Sequence, residues 1–187
     1  MKPKKGQLII FSSPSGCGKT TVGKALLERN RDLIRSVSCT TRKPRKDEVH
    51  SKDYFFISKK EFQDKIRKGE FAEWAVYNKN YYGTLLKTIE EGLKAGKKIL
   101  FVIEVQGAEK LLEKHPNALT IFLVPPSINE LRRRLIKRGK NTPEEIEKRI
   151  KRAKEEIKQV GFYQYKVTND DLEKAIEECE NIINKVK

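Results

Sequence analysis

Residues 13–21 read Ser13-Pro14-Ser15-Gly16-Cys17-Gly18-Lys19-Thr20-Thr21 and follow the apolar run Gln7-Leu8-Ile9-Ile10-Phe11-Ser12. Small residues and two glycines let a loop wrap closely, so that successive N–H groups point at phosphate oxygens. A helix opening near Gly18 adds the positive end of its dipole. Lys19 supplies a point charge for β- and γ-phosphates, and the Thr20 hydroxyl is a ligand for Mg²⁺. The chemistry implied is binding of a nucleoside triphosphate. Ser13 stands where the G-x-x-x-x-G-K-[ST] pattern has its first glycine, which works if its φ stays negative. An ordinary glycine-rich turn would explain Gly16 and Gly18 but not the Lys-Thr that follows.

A second constellation suits a smaller anion. Ser38-Cys39-Thr40-Thr41-Arg42-Lys43-Pro44-Arg45 is followed by Glu48 and by Lys52-Asp53-Tyr54. Two arginines three apart, flanked by hydroxyls and a tyrosine, fit a compact dianion such as a monophosphate. Glu70-Phe71-Ala72-Glu73-Trp74-Ala75 then sets carboxylates beside aromatics, and Asn80-Tyr81-Tyr82-Gly83-Thr84 leads into a helix. Each has a plainer reading: Arg42 and Arg45 as surface charges, Tyr54, Tyr81 and Tyr82 as packing residues, Trp74 as core, Glu73 as the partner of an arginine. Cys17 reads as a small filler, and Arg132 and Arg133 as exposed.

These motifs, S-x-T-T-R-x-P-R, x-D-Y, E-F-x-E-W-A and N-Y-Y-G-[ST], occur in order and resemble the guanylate kinase family from about Gly6 to Lys187. The resemblance implies transfer of the ATP γ-phosphoryl to GMP, and to dGMP, with Mg²⁺ as cofactor and ATP as co-substrate. It implies that residues 13–21 and Asn169 bind ATP, Asn169 at the adenine. Ser38, Arg42, Arg45, Tyr54 and Tyr82 would hold the GMP phosphate. Glu73 would accept from guanine N1 and N2, Thr84 would meet O6, and Glu104 would belong to the same site. Lys19, Arg134, Arg138 and Arg149 would be catalytic, the arginines clamping the transferring phosphoryl group. Guanine offers two adjacent donors that a carboxylate accepts together, whereas adenine offers an acceptor at N1.

There is one departure. Family members commonly carry two acids two apart before Gln-Gly, whereas Phe101-Val102-Ile103-Glu104-Val105-Gln106-Gly107 has Val102 at the first. On a strand, positions 102 and 104 would share a face. Glu104 would then orient Arg42 or Arg45, or help hold metal-bound water.

The elements that must position these groups follow from periodicity. Strands are expected over about 7–12, 36–39, 54–57, 71–77, 81–82, 98–104, 118–124 and 165–168. Helices are expected over about 18–29, 59–68, 85–95 and 106–114. A further helix opens at a capping box of Ser127 and Glu130, and the next at Thr142-Pro143-Glu144-Glu145, with Ile146, Ile150, Ala153, Ile157 and Val160 on one face. Leu172, Ala175, Ile176, Cys179, Ile182 and Ile183 stripe the last. Repeated strand–helix units predict an α/β fold of the phosphate-loop type, a parallel sheet flanked by helices, with nucleotide at the strands' C-terminal ends. Residues 38–84 break the alternation and read as an inserted small α+β subdomain that takes GMP. The expected core is about 1–37, 85–133 and 153–187, and the resemblance makes about 134–152 a helical lid.

The 187 residues suit one domain, and no apolar run is long enough to span a membrane. The short apolar segment after the basic start runs into the phosphate loop and reads as a core strand, not a signal peptide. Cys17, Cys39 and Cys179 lie far apart without metal-ligand spacing, as expected of free thiols in the cytoplasm. The net charge of +15 raises nucleic-acid binding. The basic residues are spread along the chain and mixed with glutamates, which favours a solvated, ion-paired surface and no nucleic-acid partner. The same composition fits a heat-adapted protein or a genomic bias. A protein-binding module that has lost catalysis would lack Lys19-Thr20, and a kinase for another acceptor is argued against by Glu73 and Thr84. The oligomeric state stays open between monomer and homodimer.

Overall fold

The computed structural model describes residues 6–77, 79–139 and 141–185. In chain order the elements are β1 (Gln7–Ser12), α1 (Lys19–Arg29), β2 (Leu33–Arg35), β3 (Cys39–Thr40), β4 (Phe55–Phe56), α2 (Lys59–Arg67), β5 (Phe71–Tyr77), β6 (Asn80–Leu85), α3 (Leu86–Lys94), β7 (Lys98–Val102), α4 (Val105–Lys114), β8 (Leu119–Val124), α5 (Ile128–Lys137), α6 (Pro143–Lys158), β9 (Tyr165–Thr168) and α7 (Leu172–Lys185). A 3-10 turn, Gln159–Phe162, follows α6. Five strands form the sheet β2-β7-β1-β8-β9 and four form the sheet β4-β3-β6-β5. The chain is α/β, its first sheet parallel in β2–β7, β1–β8 and β8–β9.

By its contacts the chain divides into two compact units, residues 1–8, 32–100 and 106–118, and residues 9–31, 101–105 and 119–187. In the second unit, all six residues of β8 are buried, as an unbroken apolar strand covered on both faces must be. β1 pairs with it from Ile9 opposite Leu119 to Ser12 opposite Phe122, and β9 lies on its other side. α1 and α7 are joined by Arg29 donating to both Glu173 oxygens, at 2.5 and 2.8 Å.

In the first unit, β5 and β6 pair antiparallel around a register shift between Phe71 and Glu73. One core cluster in it is Cys39, Phe62 and Phe71, with Trp74, Tyr81 and Leu85 packed against it. Trp74 and Tyr81 are thus packing residues, as the plainer reading has it.

Several boundaries differ from the periodicity. Of the extended segment expected at 36–39 only Cys39 lies in a strand, because Leu33, Ile34 and Arg35 before it pair with β7 while Cys39 and Thr40 pair with β4 and β6. β7 ends at Val102, two residues earlier than expected, since α4 already opens at Val105. Alternation therefore does not relate Val102 to Glu104. Val102 packs on α1, where a Cβ at Gly23 would lie 2.9 Å from its methyl. The box at Thr142 and Glu145 is complete. At Ser127 the hydroxyl accepts from the Glu130 N–H, but the Glu130 carboxylate goes to Arg133 and Arg134.

Candidate active site

The phosphate loop joins β1 to α1 in the second unit. Gly16 and Gly18 have φ of +99° and +94°, which L side chains rarely adopt. Space confirms the need for glycine: a Cβ on Gly16 would meet Leu135 at 3.0 Å, and one on Gly18 would meet the Asn169 amide at 2.5 Å. Ser13 is not among the residues of positive φ, so a non-glycine is unstrained there. Its hydroxyl donates to the Pro14 carbonyl at 3.0 Å. Pro14 and Cys17 are buried, Ser15 is half-buried, and Thr20 and Thr21 are exposed at the start of α1. No acid stands in the first turn of α1 to compete with an anion.

Cys17 packs among Leu131, Leu135, Ile146, Ile150 and Ala153, so α5 and α6 form the apolar floor of the loop. Burial pushes its thiol up to about 12, despite the positive charges of Arg134, Lys19 and Arg138. It is a buried filler, not a nucleophile. Asn169 is buried and donates its amide to the Cys17 carbonyl at 2.7 Å, bracing the loop from the end of β9.

Lys19 donates to the Ile103 carbonyl at 3.0 Å and pairs with Glu104 at 2.9 Å. Glu104 is thus tied to the phosphate-loop lysine. Its second oxygen, Oε2, is buried without a hydrogen-bond partner. Arg134 is already engaged, donating to Glu130 at 2.7 Å and to the Asn169 carbonyl at 2.9 Å. Arg138, the C-cap of α5, is exposed one turn beyond it, and Arg149 is half-buried on α6.

The remaining expected residues lie in the first unit. The β-bulge in β5 brings Glu73 directly opposite Thr84. Thr84 donates to Glu73 Oε1 at 2.8 Å, and its hydroxyl is 3.0 Å from that of Ser38. Each hydroxyl has one proton. With that of Thr84 given to Glu73, Ser38 is the donor to Thr84. Thr84 would have to turn to donate to any other acceptor. Glu73 is 6% exposed, and burial pushes its carboxyl up to about 7 against the hydrogen bond from Thr84 and the charges of Lys110 and Lys114.

Arg42 donates to Glu48 at 2.8 Å, and its guanidinium lies 5.6 Å from the centre of the Tyr54 ring. The other Glu48 oxygen accepts the Arg45 N–H at 2.8 Å. One carboxylate thereby organises both arginines of the loop. Burial alone would raise the Glu48 carboxyl, but these bonds outweigh it and hold it below its usual range. Tyr54 and Tyr82 meet edge to face at 6.0 Å. Arg45 itself is exposed.

Three residues were not assigned roles by the sequence pattern. Glu48 was visible only as an acid beside the arginines. Arg35 stacks on Tyr54 at 5.7 Å and pairs with Asp53, with no motif around it. Glu156 is buried on α6, accepts the Ser15 N–H at 3.3 Å and accepts from Arg152 at 2.7 Å. Nothing in an i, i+4 Arg–Glu pair distinguishes it from a surface ion pair.

Comparison with known proteins supplies the family. The family model described as "Guanylate kinase" matches residues 5–186. The chain is 47% identical over 180 residues to a guanylate kinase of Caldanaerobacter subterraneus subsp. tengcongensis, covering 96% of this chain and 87% of that one. It is 47% identical over 184 residues to that of Clostridioides difficile, covering 98% and 90%. The crystal structure of guanylate kinase from Anaplasma phagocytophilum superposes with a TM-score of 0.80 at 35% identity, covering 97% of this chain and 86% of that one.

Proposed function

Because this chain belongs to the guanylate kinase family, a family of nucleoside monophosphate kinases, we propose how its own residues transfer the γ-phosphoryl of ATP to GMP. The observation that carries the acceptor is the buried Glu73 carboxylate, fixed by Thr84 and through it by Ser38. When ionised it accepts the adjacent N1 and N2 donors of guanine and repels the N1 lone pair of adenine. A site built for that polar pairing rejects bases that leave it unpaired. No group in this reading touches the ribose 2′ position, so dGMP is an acceptor as well.

The GMP phosphate is held by Arg42 and Arg45, both positioned by Glu48, with the hydroxyls of Ser38, Tyr54 and Tyr82. Residues 13–21 cradle the ATP phosphates, with backbone N–H groups and the start of α1 directed at them. A GMP phosphate oxygen attacks the γ-phosphorus in line and needs no general base. Lys19 leaves or shares Glu104 to neutralise charge on the transferring group. Arg138 and Arg149 add to that neutralisation, and Arg134 holds the loop at Asn169 that borders the adenine. Alignment and electrostatics supply the rate. Segments 38–84 and about 134–152 act as GMP subdomain and lid, and their closure excludes water.

The exposed Thr20 hydroxyl and the unpartnered buried oxygen of Glu104 fit a hard divalent cation. Among the described residues there is no cluster of three or more His, Cys, Asp or Glu, so such an ion draws its other ligands from phosphate and water, as Mg²⁺ does. Bound with ATP, Mg²⁺ supplies charge neutralisation at the β- and γ-phosphates; Thr20 would hold it directly and Glu104 through water. We assign the protein to the cytoplasm on its reduced cysteines. No helix among the described residues is long and apolar enough to cross a membrane.

A coupled ADP-release assay with ATP, Mg²⁺ and GMP, dGMP, IMP, AMP, UMP or CMP tests the reading. Turnover with GMP and dGMP and little with AMP or pyrimidines is expected. Turnover with AMP equal to that with GMP would overturn the role of Glu73.

A further inference from the structure

Strand β5 carries Glu73 and is the edge of its four-stranded sheet. The outward carbonyls of an edge strand have no strand partner. Here two are capped by lysines from α4. Lys114 donates to the Ala72 carbonyl at 2.6 Å, and Lys110 donates to the Trp74 carbonyl at 2.9 Å. Lys110 also lies 5.0 Å from the centre of the Trp74 ring. The carbonyls belong to the residues immediately before and after Glu73.

The match of spacing explains why one helix reaches both. Two residues along a strand advance roughly 6.7 Å, and four along a helix advance about 6 Å. Lysines at i and i+4 thus meet alternate carbonyls of a strand running alongside. The capped stretch contains the bulge that turns Glu73 to face Thr84, and a bulged edge strand is where pairing is least able to hold register.

We propose that Lys110 and Lys114 are positioning residues for guanine recognition, clamping the backbone on both sides of Glu73 and supplying the positive field in which its carboxylate works. The inference rests on the reading of Glu73 as the guanine acceptor. Burial drives the Glu73 carboxyl toward its neutral form, and the hydrogen bond from Thr84 and the charges of the two lysines oppose that drive. The other groups around Glu73 do not replace them. Thr84 and Ser38 carry no charge. Glu113, on the same helix and lining the same cavity, acts in the opposite sense.

The test is Lys110→Met and Lys114→Met, singly and together, each keeping the apolar stem. kcat and KM for GMP are measured from pH 6 to 9, with KM for ATP and the melting temperature alongside. The double variant is expected to raise KM for GMP about 10-fold at pH 7 and to move the acid limb of kcat/KM for GMP upward by about one unit. KM for ATP and kcat at saturating GMP stay within about twofold. Arginine at both positions restores most of the loss. If only the melting temperature falls, with KM for GMP and its pH profile unchanged, the lysines merely fasten a helix and the proposal is overturned. Should the double variant not fold, the single variants decide by the same readouts. Glu73→Gln separates the two levels. If it keeps the parent's KM for GMP and discrimination against AMP, the guanine reading itself falls; if it loses them while the lysine variants do not, only the lysine proposal does.

Discussion

Lys19 and Glu104 form an ion pair of 2.9 Å in which the lysine is largely buried and its second hydrogen bond goes to the Ile103 carbonyl. Lys19, proposed to meet ATP phosphates, is thus held by an acid two residues beyond β7. An acid so placed keeps the lysine aimed, and phosphate oxygens compete with it for the same donors. Replacing Lys19 by Ala should lower kcat by at least about 10²–10³-fold, with an unchanged far-ultraviolet circular dichroism spectrum. Near-parental turnover in that variant would remove the central claim.

Glu73 links acceptor choice to pH. Its carboxyl titrates near 7 in the fold against an ordinary 4.5. A carboxyl raised by folding contributes stability that is fully present below about pH 4.5 and lost as pH rises through about 7. At pH 8 the ionised, buried carboxylate therefore costs the free protein stability, up to about 3 kcal/mol at ~1.4 kcal/mol per unit. Glu73→Gln should melt higher than the parent at pH 8, the gap closing toward pH 5. The parent's kcat/KM for GMP should rise from pH 6 to 8. A flat pH profile, or a variant that melts lower at pH 8, contradicts this account.

Glu48 holds the two arginines proposed to bind the GMP phosphate with one carboxylate, through the Arg42 guanidinium and the Arg45 N–H. Glu48→Gln keeps the volume but loses the charge that positions Arg42. KM for GMP should rise about 10-fold, the worth of roughly one charge-assisted hydrogen bond. KM for ATP should not move, and equal changes in both constants would show a general disturbance instead.

Glu156 fastens α6 to the phosphate loop by accepting the Ser15 N–H. Glu156→Ala removes the acceptor of that half-buried donor and one partner of Arg152, at a cost of about 1 kcal/mol. We expect a lower melting temperature together with a raised KM for ATP and an unchanged KM for GMP. Glu156→Gln, which can still accept from Ser15, should recover most of the KM. A loss of stability with no change in KM for ATP would make the contact purely structural.

How much of this was legible beforehand depends on the range of the interaction. The phosphate loop is local: Gly16 and Gly18 shape consecutive backbone groups and the side chains of Lys19 and Thr20 follow at once, so their types and spacing suffice. The capping box at Thr142 closes within four residues and was read correctly, while that at Ser127 was half wrong because Arg133 and Arg134 compete for the Glu130 carboxylate.

The sequence alone determined the strand–helix alternation, the parallel sheet and the motifs that resemble guanylate kinase, because periodicity and loop chemistry are short-range properties. Only the tertiary structure decided that Glu104 meets Lys19, that a bulge sets Glu73 against Thr84, and that Lys110 and Lys114 flank it. Those contacts join residues 36, 42 and 85 positions apart or hang on one inserted residue in a strand. No local pattern encodes such a pairing, since it follows from where the backbone returns after folding and from which buried charge then needs a partner.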